Sequence, residues 1–301
     1  MGFGPEEAVF LVGMARSGVS FSRVATIGRQ ACVLTESELQ ASFREFGGEL
    51  TLSDASGLLH EQDGFAEPLF RRLGATEIVS IDASEYEGCS AVHDMNEPVP
   101  TEMHARFSVV IDGGSLEHVF GFPQAIENCM RLVAPSGHLL SISPANNEMG
   151  HGFYQFSPEI YFRLLSPENG FLVESMFLAE TGWQTRWFQV SDPAVAGRRA
   201  RVHNHGSTYL FVRARRISEI PTRLATPQQS DYESRWRQAR SSAIRSPTPR
   251  RTNAGFMGRV PWRLRRRAHR AAMGLKSRYD PRSFRRIQPV DLARTEPAGT
   301  A

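Results

Sequence analysis

Lysine is almost missing from this chain: of its 301 residues only Lys276 is one, and it lies near the carboxyl end. A Tyr-x-x-x-Lys pair, which a nucleotide-sugar enzyme of the Rossmann kind would use, is therefore absent. Cysteine is scarce as well. Cys32, Cys89 and Cys129 are odd in number and far apart, so neither a disulfide framework nor a metal-binding spacing follows from them. They are expected to be free thiols in a reducing compartment. No apolar run approaches the roughly 18 to 20 residues needed to span a bilayer. The short run Ala8 to Gly13 has Glu6 and Glu7 before it rather than a basic segment, which is not the pattern of a secretory signal. The expected compartment is the cytoplasm. A complete G-x-G-x-x-G fingerprint is also lacking.

Charge is present but divided. Residues 1–234 carry 17 arginines against 29 acidic residues, a net of −12, while residues 235–301 carry 17 arginines and one lysine against three acids, a net of +15. The chain therefore reads as an acidic globular part followed by a basic tail. With 41% hydrophobic and 10% aromatic residues, the acidic part can build a sizeable core. Residues 217–258, rich in Ser, Thr, Pro, Arg and Gln, read as a linker to a tail at 259–301 that is partly helical or disordered. Within the tail, Val260, Leu264, Ala268, Ala271 and Leu275 form a narrow apolar stripe among arginines. Such a helix can lie on an anionic membrane surface, which would make the protein peripheral to the inner membrane. Nonspecific nucleic-acid binding is a weaker fit, and a solvated tail with neither partner remains open.

Residues 1–216 alternate helix and strand patterns. Residues 5–18 read as an N-terminal helix with Pro5 in the first turn, acids after it and Gly18 at its end. Strand patterns follow at 23–27, 77–81, 91–92, 107–111, 138–142, 171–178 and 208–212. Helices are expected at 68–73, 123–132 and 157–165. Residues 31–66 read as an insertion holding one helix, which Thr35 and Glu38 would open as a capping box. Strands alternating with helices predict an α/β, Rossmann-like, doubly wound and mostly parallel seven-stranded sheet. Ligands of such sheets lie at the carboxyl ends of the strands, where strand order reverses.

Those ends carry the candidate chemistry. Gly28 closes the first strand and would let a ligand approach the backbone, although a plain turn fits equally. Asp82 ends Ile78-Val79-Ser80-Ile81 and suits the two hydroxyls of a ribose. It lies 54 positions after Gly28 where about 20 is usual, so the insertion must fall between them. Asp94, after a short strand, suits an adenine amine or merely a turn. Asp112 and Gly113 open an acidic glycine turn before Glu117 and His118, whose side chains would diverge by about 100° on a helix. The loop from Ser143 to Ser157 gathers Asn146, Asn147, His151, Tyr154 and Gln155, a mixture suited to a polar, hydroxylated substrate. His151 can serve as a general base because imidazole titrates near neutrality. His118 is the second candidate, and a structural role fits it too. No metal site is expected.

Together these segments resemble the class I S-adenosylmethionine-dependent methyltransferases. The match is carried by Phe107–Asp112 (FSVVID), Ser115–Val119 (SLEHV), Ala125–Val133 (AIENCMRLV), Ala134–His138 (APSGH) and Leu139–Ser143 (LLSIS). A bacterial subgroup found with surface-glycan biosynthesis genes is similar in Thr26–Gln30, Ile111–Gly114, Pro144–Asn147 and Gly150–Phe156. The resemblance covers about residues 20–215. It implies S-adenosylmethionine as cofactor, with Gly28 facing it, Asp82 on the ribose, Asp94 on the adenine, and Asp112 and Gly113 bordering the methionine part. It implies methyl transfer to a hydroxyl or amine of a polar small molecule, a sugar or glycan precursor included. The family's first loop is glycine-rich, whereas here it is Gly28-Arg29-Gln30. That departure is the argument for an alternative, a catalytically inactive methyltransferase-like binding or scaffold module in glycan assembly.

Overall fold

The computed structural model describes residues 2–182, 184–233, 236 and 278–294. In chain order the elements are β1 (Gly2–Phe3), α1 (Pro5–Arg16), β2 (Arg23–Ile27), β3 (Ala31–Cys32), α2 (Glu36–Glu45), α3 (Leu52–His60) and α4 (Glu67–Arg72). Then come β4 (Glu77–Asp82), β5 (Ala91–Val92), β6 (Phe107–Gly113), α5 (Phe122–Leu132), β7 (Val133–Asn146), α6 (Pro158–Leu164) and β8 (Phe171–Glu180). The last are β9 (Arg186–Val190), α7 (Pro193–Ala196), β10 (Val202–His203), β11 (Thr208–Arg216), β12 (Arg278–Tyr279) and β13 (Phe284–Ile287).

The central sheet has the order β5-β4-β2-β6-β7-β11-β8-β9-β13. From β5 to β7 every pairing is parallel, and from β7 to β13 every pairing is antiparallel. The expected seven strands are all present, but the sheet has nine and is mixed. The two extra strands escape pattern reading for a physical reason. β9 is short, and in β13 the buried Phe284 and Ile287 flank exposed Arg285 and Arg286, so the segment reads as part of a charged run. Part of the supposed tail thus belongs to the fold. β13 completes the sheet edge, β12 pairs with β10, and the turn Pro289–Ala293 packs Leu292 against α1 at Gly13. The apolar stripe expected at 260–275 lies outside the described residues. No helix among the described residues is long and apolar enough to cross a membrane.

Alternation along the strands feeds two cores, one on each face. Val24, Val109, Ile111, Leu140 and Phe211 meet Phe10, Leu11 and Met14 of α1 and Leu39, Leu59 and Phe70 of the following helices. Ala25, Val110, Leu139, Leu210 and Val212 meet Ile126, Cys129 and Met130 of α5 and Tyr161 and Phe162 of α6. Each fully buried large side chain contributes about 1.5–3 kcal/mol. The insertion folds as β3, α2 and α3. Thr35 and Glu38 cap α2 reciprocally as expected, and Thr51 with Asp54 does the same for α3.

At the end of the sheet opposite the carboxyl ends of the parallel strands, Glu174 of β8 takes ion pairs from Arg213 at 2.7 Å and Arg215 at 2.6 Å, and His138 Nε2 lies 3.2 Å away. Burial works against the charge of Glu174, but the hydrogen bonds from His138 and Arg215 and the charge of Arg213 outweigh it and hold the carboxyl at about 2. A carboxyl depressed in the folded state stabilises above its unfolded value and loses that stabilisation as pH falls towards its folded one. Solvent screening of this half-buried group reduces the contribution to about 1–2 kcal/mol. Acid titration of urea-denaturation midpoints is expected to show this loss between about pH 4.5 and 2 in the wild type. Glu174→Gln is expected to start lower and to lack that component; identical pH profiles would remove Glu174 from the account.

Candidate active site at the carboxyl edge of the sheet

The chain runs outward from β2 through β4 to β5, then returns to place β6 on the other side of β2. Between the carboxyl ends of β2 and β6 the strand order reverses, and the crossovers leave in opposite directions. Gly28 stands there with φ +72°, and a Cβ on it would come within 3.0 Å of Ser115 Oγ, 3.2 Å of Gln30 Nε2 and 3.8 Å of Asp82 Oδ2. Both the left-handed backbone and the close neighbours call for glycine. The parallel register of β2 with β4 brings Asp82 to the same edge, half-buried, and no donor among the described residues reaches its carboxylate.

The two residues after Gly28 are spent differently. Arg29 turns away, donating to Glu67 Oε1 at 2.7 Å and to the carbonyl of Glu87 at 2.8 Å, with its guanidinium 3.8 Å over the ring of Phe65. Gln30 turns in. It is 2% exposed, and its Nε2 donates to the Ile27 carbonyl at 2.8 Å and to Ser115 Oγ at 3.3 Å. Ser115 Oγ donates to the same carbonyl at 2.5 Å. Gln30 Oε1 is buried without a partner. A Cβ at Gly113 would come within 3.1 Å of that oxygen and 2.5 Å of the Phe3 ring, which the pairing of β1 with β3 delivers here.

Asp112 lies beneath this crevice, fully buried. Its Oδ1 accepts from the amides of Ser115 at 2.9 Å and Leu116 at 3.2 Å, and its Oδ2 accepts from Ser141 at 2.8 Å. Ser141 is also 3.2 Å from the Tyr161 hydroxyl, which donates to Ser143 at 2.8 Å. Burial raises the Asp112 carboxyl above the usual carboxylate range, against the pull of these donors. Glu117, in the 3-10 turn Leu116–His118, is 0% exposed, and neither of its oxygens has a hydrogen-bond partner. Burial, with the charge of Asp112 behind it, raises Glu117 as well.

The loop after β7 folds over that turn. The amide of Phe153 donates to the Glu117 carbonyl at 2.8 Å, and a Cβ at Gly152 would sit 2.9 Å from the same oxygen. His151 is thereby held with Nε2 3.5 Å from Glu117 Oε1 and its ring centroid 5.3 Å from that of His118. Burial, and then the charge of His151, lower the His118 imidazole. The two histidines, distant in sequence, are neighbours beside one buried carboxylate. Phe120 and Phe153, both exposed, meet edge to face at 6.0 Å on the rim.

Other expected site residues are occupied within the protein. Asn146 Nδ2 donates to Asn204 Oδ1 at 2.7 Å, and Asn147 Nδ2 donates to the carbonyl of Gly206 at 2.7 Å. The Tyr154 hydroxyl donates to the Phe120 carbonyl at 2.6 Å, and Gln155 Oε1 accepts from the Glu148 amide at 2.9 Å. Asp94 is exposed, and its Oδ1 accepts from the amide and side chain of Asn96, which keeps the carboxyl below its ordinary value. Gln30, Ser115, Ser141 and Tyr161 escape a reading of the sequence, since the pairing of β2 with β6 gives the first two their partners and the packing of β6, β7 and α6 gives the others theirs.

No family model and no curated protein matches the chain. Among solved structures, a candidate methyltransferase of Bacillus halodurans is 9% identical over 69% of this chain and 99% of its own, with a TM-score of 0.40. The 1,6-didemethyltoxoflavin-N1-methyltransferase of Burkholderia thailandensis is 13% identical over 71% and 79%, with a TM-score of 0.37. The branched-chain polyamine synthase of Thermus thermophilus is 13% identical over 75% and 60%, with a TM-score of 0.36.

Asp112→Ala would leave the two turn amides and Ser141 without their acceptor. It is expected to cost about 2–4 kcal/mol in urea denaturation, as the loss of a buried multi-bonded acceptor does. A cost below about 1 kcal/mol would mean that the turn does not depend on Asp112.

Proposed function

We propose that the chain transfers a methyl group from S-adenosylmethionine to a hydroxyl or amine of a small polar acceptor. The observation that carries this reading is the unpaired Asp82 carboxylate beside the bare backbone of Gly28, at the reversal of strand order where such sheets take nucleoside ligands. The residues fit the cofactor in three further respects. Asp82 can accept both ribose hydroxyls, the orphaned Gln30 Oε1 can accept from the ammonium of the methionine part, and Gly28, at φ +72°, keeps the strand end free of a side chain.

When bound, the cofactor supplies an electrophilic methyl group whose bond to sulfur breaks as its bond to the acceptor oxygen or nitrogen forms. The protein's share is placement and proton removal. Holding donor and acceptor in line supplies much of the barrier reduction. The exposed rings of Phe120 and Phe153 offer apolar faces to a sugar-like ring, and each stands two residues after one of the paired histidines, His118 and His151. His151 takes the acceptor proton, with Glu117 Oε1 favouring the imidazolium that results.

A second reading has one specific observation in its favour. Gln30 and Ser115 bridge the crevice between β2 and β6 through the Ile27 carbonyl, which would close it in a non-catalytic binding module.

Titration calorimetry with S-adenosylhomocysteine separates the two. Micromolar binding is expected, weakened about 10- to 150-fold in Asp82→Ala through loss of charge-assisted hydrogen bonds. Gln30→Ala is expected to weaken it too. No binding by the folded wild type, with binding gained in Gln30→Ala, would establish the closed module instead. His151→Ala is expected to keep cofactor affinity and to lose about 10²- to 10⁴-fold in single-turnover rate; full turnover would end its role as base.

A further inference from the structure

We propose that Glu117, His118 and His151 form a binding site for a divalent cation of the zinc type. One ligand atom from each of the three lies within 4.8 Å of the others. The separation of Glu117 Oε1 and His151 Nε2, 3.5 Å, is already that of two ligands on one tetrahedral ion, since donors about 2.0–2.2 Å from zinc stand about 3.3–3.6 Å apart. His118, exposed beside them, offers the third ligand atom.

Glu117 is the independent sign of a ligand. A fully buried carboxylate with no hydrogen bond to either oxygen is costly, and buried charges persist where they are paired or coordinate a metal. Its surroundings hold it in place. Asp112 fixes the turn through the Ser115 and Leu116 amides, and the Phe153 amide clamps the Glu117 carbonyl. Gly114, at φ +92°, leaves room over Glu117 Oε1, where a Cβ would come within 3.2 Å. The ring of Tyr209 stands at right angles to His151, with centroids 6.4 Å apart.

The donor set selects the ion. Two imidazoles and one carboxylate suit zinc and its first-row neighbours, whereas calcium and magnesium prefer all-oxygen sites. Both histidines are exposed, so the remaining coordination positions are open to solvent and to an acceptor. An acceptor hydroxyl bound there would become more acidic and lose its proton to solvent water, and His151, its Nε2 then on the ion, would act as the base only in the metal-free protein. Cation binding itself does not depend on the methyl-transfer reading.

The test uses the full chain, stripped with chelator and titrated with Zn2+ by calorimetry and with Co2+ by visible absorption. The wild type is expected to bind one equivalent of Zn2+ and to give Co2+ d–d bands of four- or five-coordinate intensity. His118→Ala and His151→Ala, both at exposed positions and checked for wild-type circular dichroism, are each expected to weaken binding by at least about tenfold and to abolish those bands. Absence of stoichiometric binding in the wild type, or wild-type affinity in both variants, would overturn the proposal. Calorimetry with S-adenosylhomocysteine on the stripped protein reads the cofactor site separately, so either reading can fail alone.

Discussion

A single carbonyl, that of Ile27 at the end of β2, anchors the carboxyl edge of the sheet. It accepts from Gln30 and from Ser115, side chains that arrive from opposite sides of the strand reversal. Where two parallel strands carry their crossovers in opposite directions, their ends part and leave backbone groups without sheet partners. Here side chains satisfy them. Ser115 can do so because its own amide is tied to Asp112, and the same carboxylate holds Leu116 and thereby the turn that presents Glu117 and His118. The crevice, its floor and its acceptor-side wall form one connected set of hydrogen bonds.

Asp112 and Glu117, at and just after the end of β6, are both buried, and their partners separate their roles. Asp112 has three donors and is part of the framework. Glu117 has none among the described residues, and His151 Nε2 lies 3.5 Å from its Oε1. A framework residue cannot be spared for a ligand without loss of structure, whereas an unpaired one can gain a partner. The same contrast separates Asp82, which no donor among the described residues reaches, from Asp94, which is engaged with Asn96.

The loop from Ser143 to Ser157 divides its labour along similar lines. Its amide side chains hold the loop to itself and to residues 204–206, and Tyr154 holds it to Phe120. What it presents outward is His151, Met149 and Phe153. A polar composition in a loop over a sheet edge therefore went largely into rigidity, and the face left for a partner is aromatic and basic. That rigidity is what keeps His151 beside Glu117.

Local signals in the sequence determined a good part of this protein. Alternation and apolar runs placed seven of the nine strands, Thr35 with Glu38 marked the start of α2, and strand ends marked the edge where Gly28, Asp82 and Asp112 stand. These follow from period, capping and turn chemistry, which act over a few residues. β13 was not legible, because a short strand at an edge can carry charge on its open side and needs no apolar run, and β9, between β8 and β13, is a five-residue strand in which Gln189 interrupts the apolar residues. The meeting of Glu117, His118 and His151 was not legible either. Adjacent residues diverge by about 100° on an α-helix and by about 120° on the 3-10 turn Leu116–His118, so local geometry does not announce the cluster, and His151 reaches the turn because the Phe153 amide binds the Glu117 carbonyl. Whether Gln30 faces solvent or fills the crevice was likewise decided by tertiary structure, since its partners, Ile27 and Ser115, are brought together only when β2 pairs with β6.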